Sequence, residues 1–263
     1  MLDLAVAVAD PPVTSSQYRY VETHAWWLGT FGLHHYLSEQ RLRQWVPAHP
    51  DRDWVLEREL TGAHTWLTGS AAAARDEGFE LSELVPTGRF RAPHGEFDAT
   101  ARDELAHREL GRCTPGRRPP RGNWQSPTLQ FFQRLPRDPA TLLDRLRADN
   151  PGSWFSPFTA AVTALRTGLV PAELRGALYR ALTGLPGVSV AEHVYNIDGQ
   201  DCLALVQEAG RTRTELMIDP VRGQFAGERD TLRADSRSGL RSGMVISTTA
   251  VRVAVVDRVG TRP

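Results

Sequence analysis

The reading of one stretch decides the fold: Arg211-Thr-Arg-Thr-Glu-Leu-Met-Ile-Asp-Pro-Val-Arg-Gly-Gln-Phe-Ala-Gly-Glu-Arg-Asp-Thr-Leu232. Two strands joined by a tight turn are expected here. Asp219 can accept a backbone hydrogen bond at the first turn position, Pro220 presets φ at the second, and Gly223 can take the left-handed conformation of a bulged hairpin loop. Ahead of the turn, Thr214, Leu216 and Ile218 fall on one face and Arg213, Glu215 and Met217 on the other. That period of two belongs to a half-buried antiparallel strand.

Outward from this hairpin the same alternation continues. Val188 to Ile197 and Cys202 to Glu208 flank an Asp198-Gly199 turn, the strongest short hairpin signal, and Ala209-Gly210 leads into the stretch above. Met244 to Val256 adds a last strand, with Val251, Val253 and Val255 on one face. Upstream the period becomes helical. Asp138 is placed to cap a helix with Pro139 at its first position and Leu142, Leu143 and Leu146 at helical spacing. Pro157 to Arg166 carries Phe158, Ala161, Val162 and Leu165 as a stripe, and a third helix from Pro171 carries Leu174, Leu178 and Leu182 up to Gly184. The first part of the chain returns to strands. Ser16 to Trp27 would project Tyr18, Tyr20, Glu22, His24 and Trp26 to one side, followed by Tyr36 to Val46 and Asp53 to Leu60, with short additions at Ala63 to Leu67 and Gly78 to Leu84. The connections are too short for parallel crossovers, so these are hairpins. Strands, helices, then strands is the order of an α+β fold, a curved and mostly antiparallel sheet covered by short helices. A single domain over residues 14–259 is expected, with 1–13 as a tail. Residues 86–123 form a long loop or insertion rich in arginine, proline and glycine, with a polar helix at Asp98 to Leu110 inside it.

The 263 residues suffice for a sizeable core, and a hydrophobic fraction of 41% with 24% charged is that of an ordinary globular protein. Lys+Arg and Asp+Glu each total 31, every basic one an arginine, so no long-range field draws nucleic acid or acidic lipid. No apolar run approaches the roughly 20 residues that cross a bilayer, and a soluble chain is expected. The opening Met-Leu-Asp-Leu-Ala-Val-Ala-Val-Ala lacks the basic leader of a signal peptide and reads as a frayed terminus or the end of an upstream spanning helix. Cys113 and Cys202 permit one disulfide or two independent thiols.

Several motifs carry a resemblance. Leu135-Pro-Arg-Asp-Pro-Ala-Thr-Leu-Leu143, Pro171-Ala-Glu-Leu-Arg-Gly-Ala-Leu-Tyr-Arg-Ala-Leu182 with Leu185-Pro-Gly-Val188, the Asp219-Pro220 turn, and Val255-Val-Asp-Arg-Val-Gly-Thr-Arg-Pro263 resemble an uncharacterised actinobacterial family over roughly residues 125 to 263. The resemblance implies an extracytoplasmic domain tethered by a membrane-spanning helix upstream. The order of elements is also similar to the half-open barrel of lipoprotein-carrier proteins and of the sensor domains that regulate envelope-stress sigma factors, which implies a cavity for an acyl chain or peptide. That step is an analogy of fold.

Catalytic and cofactor signatures are missing from the sequence. His34 and His35 are strand neighbours that point to opposite faces and cannot easily share a metal ion, and no His-Glu-x-x-His or paired-cysteine spacing occurs. Asp53, Glu57 and Glu59 share a strand face, a geometry for acid and base work; with Arg52 and Arg58 nearby, a solvated face of ion pairs is the stronger expectation. The tryptophans are the suggestive feature. Tyr20, Trp26, Trp45 and Trp54 are the candidate ligand-binding residues, as a cavity wall on the concave side of the sheet, with plain core as the competing reading. The expected function is a non-catalytic extracytoplasmic binding or sensing domain for a lipid or other apolar small molecule, without cofactor, metal or nucleic acid. The alternative is a structural or regulatory domain that meets a protein partner, and an unrecognised hydrolase is a distant third.

Overall fold

Turn chemistry builds the hairpin at 211–232 as expected. Asp219 Oδ1 accepts from Val221 N at 2.8 Å and Arg222 N at 3.0 Å, while Gly223, at φ 58°, donates its amide to Asp219 O at 2.8 Å. The computed structural model describes residues 10–49, 52–80, 85–95, 97, 121–151 and 156–263. Its strands are β1 (Tyr18–Phe31), β2 (His34–Pro47), β3 (Trp54–Thr68), β4 (Gly88–Ala92), β5 (Val188–Tyr195), β6 (Asp201–Ala209), β7 (Thr212–Ile218), β8 (Phe225–Leu232) and β9 (Val245–Val256). The helices are α1 (Ala71–Asp76), α2 (Leu129–Arg134), α3 (Pro139–Asp149), α4 (Pro157–Arg166) and α5 (Ala172–Thr183). Antiparallel strands with a few short helices make this an α+β structure. The described residues divide between two units, one drawn from Met1–Asp10 and Pro120–Asp230, the other from Pro11–Pro119 and Thr231–Pro263.

In the first unit the strands run in the order β8-β7-β6-β5, with β5–β6 and β6–β7 antiparallel. Cys202, Ala204, Val206, Met217 and Ala226 pack together on one face. Arg229 meets Glu215 at 2.5 Å on that face too, although it lies three positions from Ala226; an extra residue at Gly227 therefore bulges β8. The bulge turns Glu228 and Asp230 the other way. The helices have the predicted apolar stripes, and each of α2, α3 and α4 begins at a side-chain cap, Thr128, Asp138 and Ser156 respectively. Proline cannot donate to the preceding turn, which is why Pro139 and Pro157 sit at the first helical positions. Buried Arg175 fastens α5 to the hairpin turn, donating to Gly223 O at 3.0 Å, Val170 O at 2.8 Å and Asp10 Oδ1 at 2.9 Å.

The second unit orders its strands β4-β3-β2-β1-β9, all antiparallel in their pairings. The structure differs from expectation at three places here. Ala63 to Leu67 is no separate strand: β3 runs through it, with a register shift between Ser38 and Gln40 that absorbs the extra residues of Thr61-Gly62-Ala63. Gly88–Ala92, inside the stretch read as loop, is a strand paired with Trp54–Arg58. Gly78 to Glu80 is not extended strand, and residues 81–84 and the helix expected at Asp98 to Leu110 lie outside the described residues. On β1, Gly29 lies under the Tyr36 ring, so close that a Cβ there would stand 2.2 Å from Tyr36 Cζ. Gly29→Ala must push the ring out of an aromatic cluster and is expected to cost about 1–2 kcal/mol in urea denaturation; an unchanged midpoint would show that the ring is free to move.

Candidate functional site

The second unit's sheet has two contrasting faces, fixed by its register. On one, Tyr20 stands opposite Trp45 and Trp45 opposite Val55. The two rings pack at 5.4 Å, both without solvent exposure, in a cluster with Val55 and Val256 and the half-buried Tyr18, Ala254 and Val259. Trp45 Nε1 donates to Thr261 O at 3.1 Å. Burial pushes the Tyr20 hydroxyl up to about 12, and the negative charge of Glu22 adds to the shift.

One step along the strands the same face becomes ionic. Arg252, Glu22, Arg43, Glu57 and Arg89 stand opposite one another across β9, β1, β2, β3 and β4, an alternation of sign that runs through all five strands. Arg43 donates to Glu22 at 3.1 Å and Glu59 at 2.9 Å, and Glu57 receives Arg89 at 2.7 Å and Arg262 at 3.0 Å. Burial opposes the charge on Glu57, yet these two guanidiniums hold its carboxyl below the usual range. Opposite charges facing each other across strands favour this register over a slip by one residue. Glu57 and Glu59 thus form ion pairs as expected, with partners on neighbouring strands. Beside this row His24 meets Glu39 at 2.7 Å, and the Thr61 hydroxyl donates to the other Glu39 oxygen at 2.5 Å and holds that carboxyl low.

The opposite face has a different make-up. Its centre carries the buried small or neutral polar residues Thr23, Ala25, Ser38, Gln40 and Thr249, with Gln40 Nε2 donating to Ser38 Oγ at 3.2 Å. The register places Trp27 opposite Ser38 and Ser38 opposite His64. Toward the β1–β2 turn the face rises into an aromatic group. Tyr36 meets His64 at 5.9 Å, Trp66 at 5.2 Å and Phe79 at 5.1 Å, and Phe79 meets Phe31 at 5.3 Å. His64 Nε2 is buried there with no hydrogen-bond partner among the described residues. A buried orphan nitrogen is costly, and such groups are exceptions that call for a reason.

The four sequence candidates therefore do not make one wall. Tyr20 and Trp45 pack against each other, Trp26 is half-buried on their face opposite Glu39, and Trp54 belongs to the opposite face, its ring against Gly95. The register of β2 with β3 brings Tyr36 and His64 together, and Phe79 joins them from the turn after α1, so periodicity within one strand does not reveal the group. His34 and His35 turn apart as expected, His34 toward Glu77 at 3.1 Å and His35 toward Thr68 at 2.8 Å. Among the described residues no three His, Cys, Asp or Glu side chains come together to hold a metal ion. Cys202 is a free buried thiol pushed up to about 11 by burial, which disfavours the reactive thiolate; Cys113 lies outside the described residues. No helix among the described residues is long and apolar enough to cross a membrane. No family model, curated protein or solved structure matches the chain.

Proposed function

We propose that the protein is a non-catalytic extracytoplasmic binding or sensing domain for a lipid or another apolar molecule with a neutral hydrogen-bonding group. The half-open barrel of lipoprotein-carrier proteins is the architecture that goes with this reading. The observation that carries it is the face of Ala25, Ser38 and Gln40. Buried small and neutral polar side chains lie beside the rings of Tyr36, Trp66 and Phe79, and the orphan His64 Nε2 stands among those rings as a polar handle. Large aromatics offer rigid apolar area to a ligand, and a few placed polar groups fix its orientation. The extracytoplasmic placement rests on the family resemblance.

Native mass spectrometry of protein isolated from its natural host tests the ligand. A co-purified lipid mass is expected, and protein that is empty in every preparation would refute carriage. With an environment-sensitive apolar dye as probe, His64→Ala and Trp66→Ala are each expected to weaken binding at least fivefold while circular dichroism stays unchanged. Equal affinities would remove this face from the reading.

A further inference from the structure

In the first unit the Gly227 bulge turns Glu228 and Asp230 to the same side of β8, and the guanidinium that acts on both is that of Arg166, in the last turn of α4. Glu228 is fully buried and touches Arg166. Asp230 is half-buried and accepts from Thr214 Oγ1 at 2.6 Å. The neighbouring strand β7 offers these acids only that hydroxyl, since its charged residues Arg213 and Glu215 turn to the other side, where Glu215 pairs with Arg213 and Arg229. Two acids thus share one guanidinium away from water. Such a site binds a proton at a pH where exposed carboxyls have already lost theirs. Glu228 lies deeper, and burial pushes its carboxyl up to about 7, with Arg166 pulling it down and Asp230 pushing it further up.

The proton and Arg166 compete for one carboxylate. Ionised, Glu228 gives Arg166 a charge-assisted contact; protonated, it gives a neutral one, which is about half as strong. Arg166 then has an alternative, because its side chain is 35% exposed and water can solvate it once the opposite charge is gone. The helix closes directly after this residue. Thr167 N donates to Ala164 O at 3.3 Å and Gly168 N to Leu165 O at 3.0 Å, and both residues are half-buried. The bonds that end α4 are therefore few, and they adjoin the side chain whose partner is lost on protonation.

We propose that Arg166 and Glu228 form a proton-controlled latch, which fastens the end of α4 to β8 while Glu228 is ionised and releases it when Glu228 takes up a proton, with Asp230 setting the pH of the change. It does not depend on the apolar ligand of the second unit. Its sign separates it from general loosening. The folded state holds this proton more tightly than the unfolded one, so protonation stabilises the fold as a whole while it frees the end of one helix. By linkage, whatever draws Arg166 away also raises the affinity of Glu228 for the proton.

Hydrogen exchange of the full chain at pH 5 and pH 8, corrected for the intrinsic pH dependence of amide exchange, tests the latch. The Thr167 and Gly168 amides are expected to be about fivefold less protected at pH 5 than at pH 8. The Gly184 and Leu185 amides, which close α5 by bonds of the same kind to Ala181 O and Leu182 O, are expected to keep or gain protection. Glu228→Gln should hold the end of α4 in its released state, with low protection at both pH values, and Asp230→Asn should move the midpoint of the change downward. Equal protection of Thr167 and Gly168 at the two pH values, a Glu228→Gln protein that keeps the protection seen at pH 8, or an unmoved midpoint in Asp230→Asn would overturn the proposal. Should the variants fail to fold, the unaltered protein decides: a loss confined to the end of α4 supports the latch, and a parallel loss at both helix ends overturns it.

Discussion

Glu228→Gln is expected to flatten the fall in stability that the first unit undergoes between pH 5 and pH 7, and to leave the protein at least as stable as the unaltered chain at pH 8. Glu228 is fully buried after the β8 bulge, in ion-pair contact with Arg166 at the end of α4. Burial pushes its carboxyl up to about 7; the Arg166 charge pulls it down, and neighbouring Asp230 pushes it further up. Asp230, which takes the Thr214 hydroxyl at 2.6 Å, is also raised by burial. Below about pH 4.5 Glu228 is protonated whether the chain is folded or not. Between that point and about 7 the folded state keeps a proton that the unfolded state has released, so stability declines as pH rises and levels off once the folded group ionises. The difference amounts to about 3 kcal/mol from the shift in the carboxyl. Glutamine keeps the shape and removes the titration, and Arg166 is exposed enough to be solvated without its partner. Urea denaturation of both proteins at pH 5 and pH 8 checks this: the gap between them should change with pH by that amount. Parallel profiles would mean that Glu228 ionises near its ordinary value and that water reaches it.

What could be read from the sequence, and what could not, divides by the range of the interactions. The 211–232 hairpin, the Asp198-Gly199 turn and the limits of α4 follow from neighbours within four residues, and all three appear as expected. The antiparallel class followed from connection length. Strand β4 was not legible, because five residues in an arginine- and proline-rich stretch become a strand only when β3 is there to pair with them. The bulges at Gly227 and opposite Glu39 were hidden as well. Alternation carried on unbroken through Gly227 places Glu228 on the wrong face, and alternation cannot show that β3 continues to Thr68. The candidate site suffered in the same way. A period of two assigns each of Tyr20, Trp45 and Trp54 a side of its own strand, but the pairing of strands decides which sides coincide. Val55, not Trp54, stands opposite Trp45. The alternating row from Arg252 to Arg89 is drawn from five separate strands, so no window of sequence contains it.

That distinction between core and wall sets up the largest single effect expected. Trp45→Ala should destabilise the protein by about 3–5 kcal/mol, the range for truncating a fully buried large aromatic. The indole is without solvent exposure and packs on Tyr20 with Val55 and Val256, so its removal leaves a void whose lining loses its contacts outright. It also removes the donor to Thr261 O, and the segment that ends in Arg262 should loosen, leaving Glu57 with Arg89 and Arg43 as its close cations. Trp45→Phe separates the two effects. The ring keeps much of the apolar contact, so stability should fall by roughly half as much, while the Thr261 carbonyl still loses its partner and hydrogen exchange at the Thr261 amide should rise as far as in the alanine variant. A residue that lined open ligand space would behave in the reverse manner: alanine would be tolerated within about 1 kcal/mol and only ligand affinity would suffer. Guanidinium denaturation of the two variants, read beside dye binding, therefore distinguishes a Trp45 that holds the sheet together from one that meets a ligand.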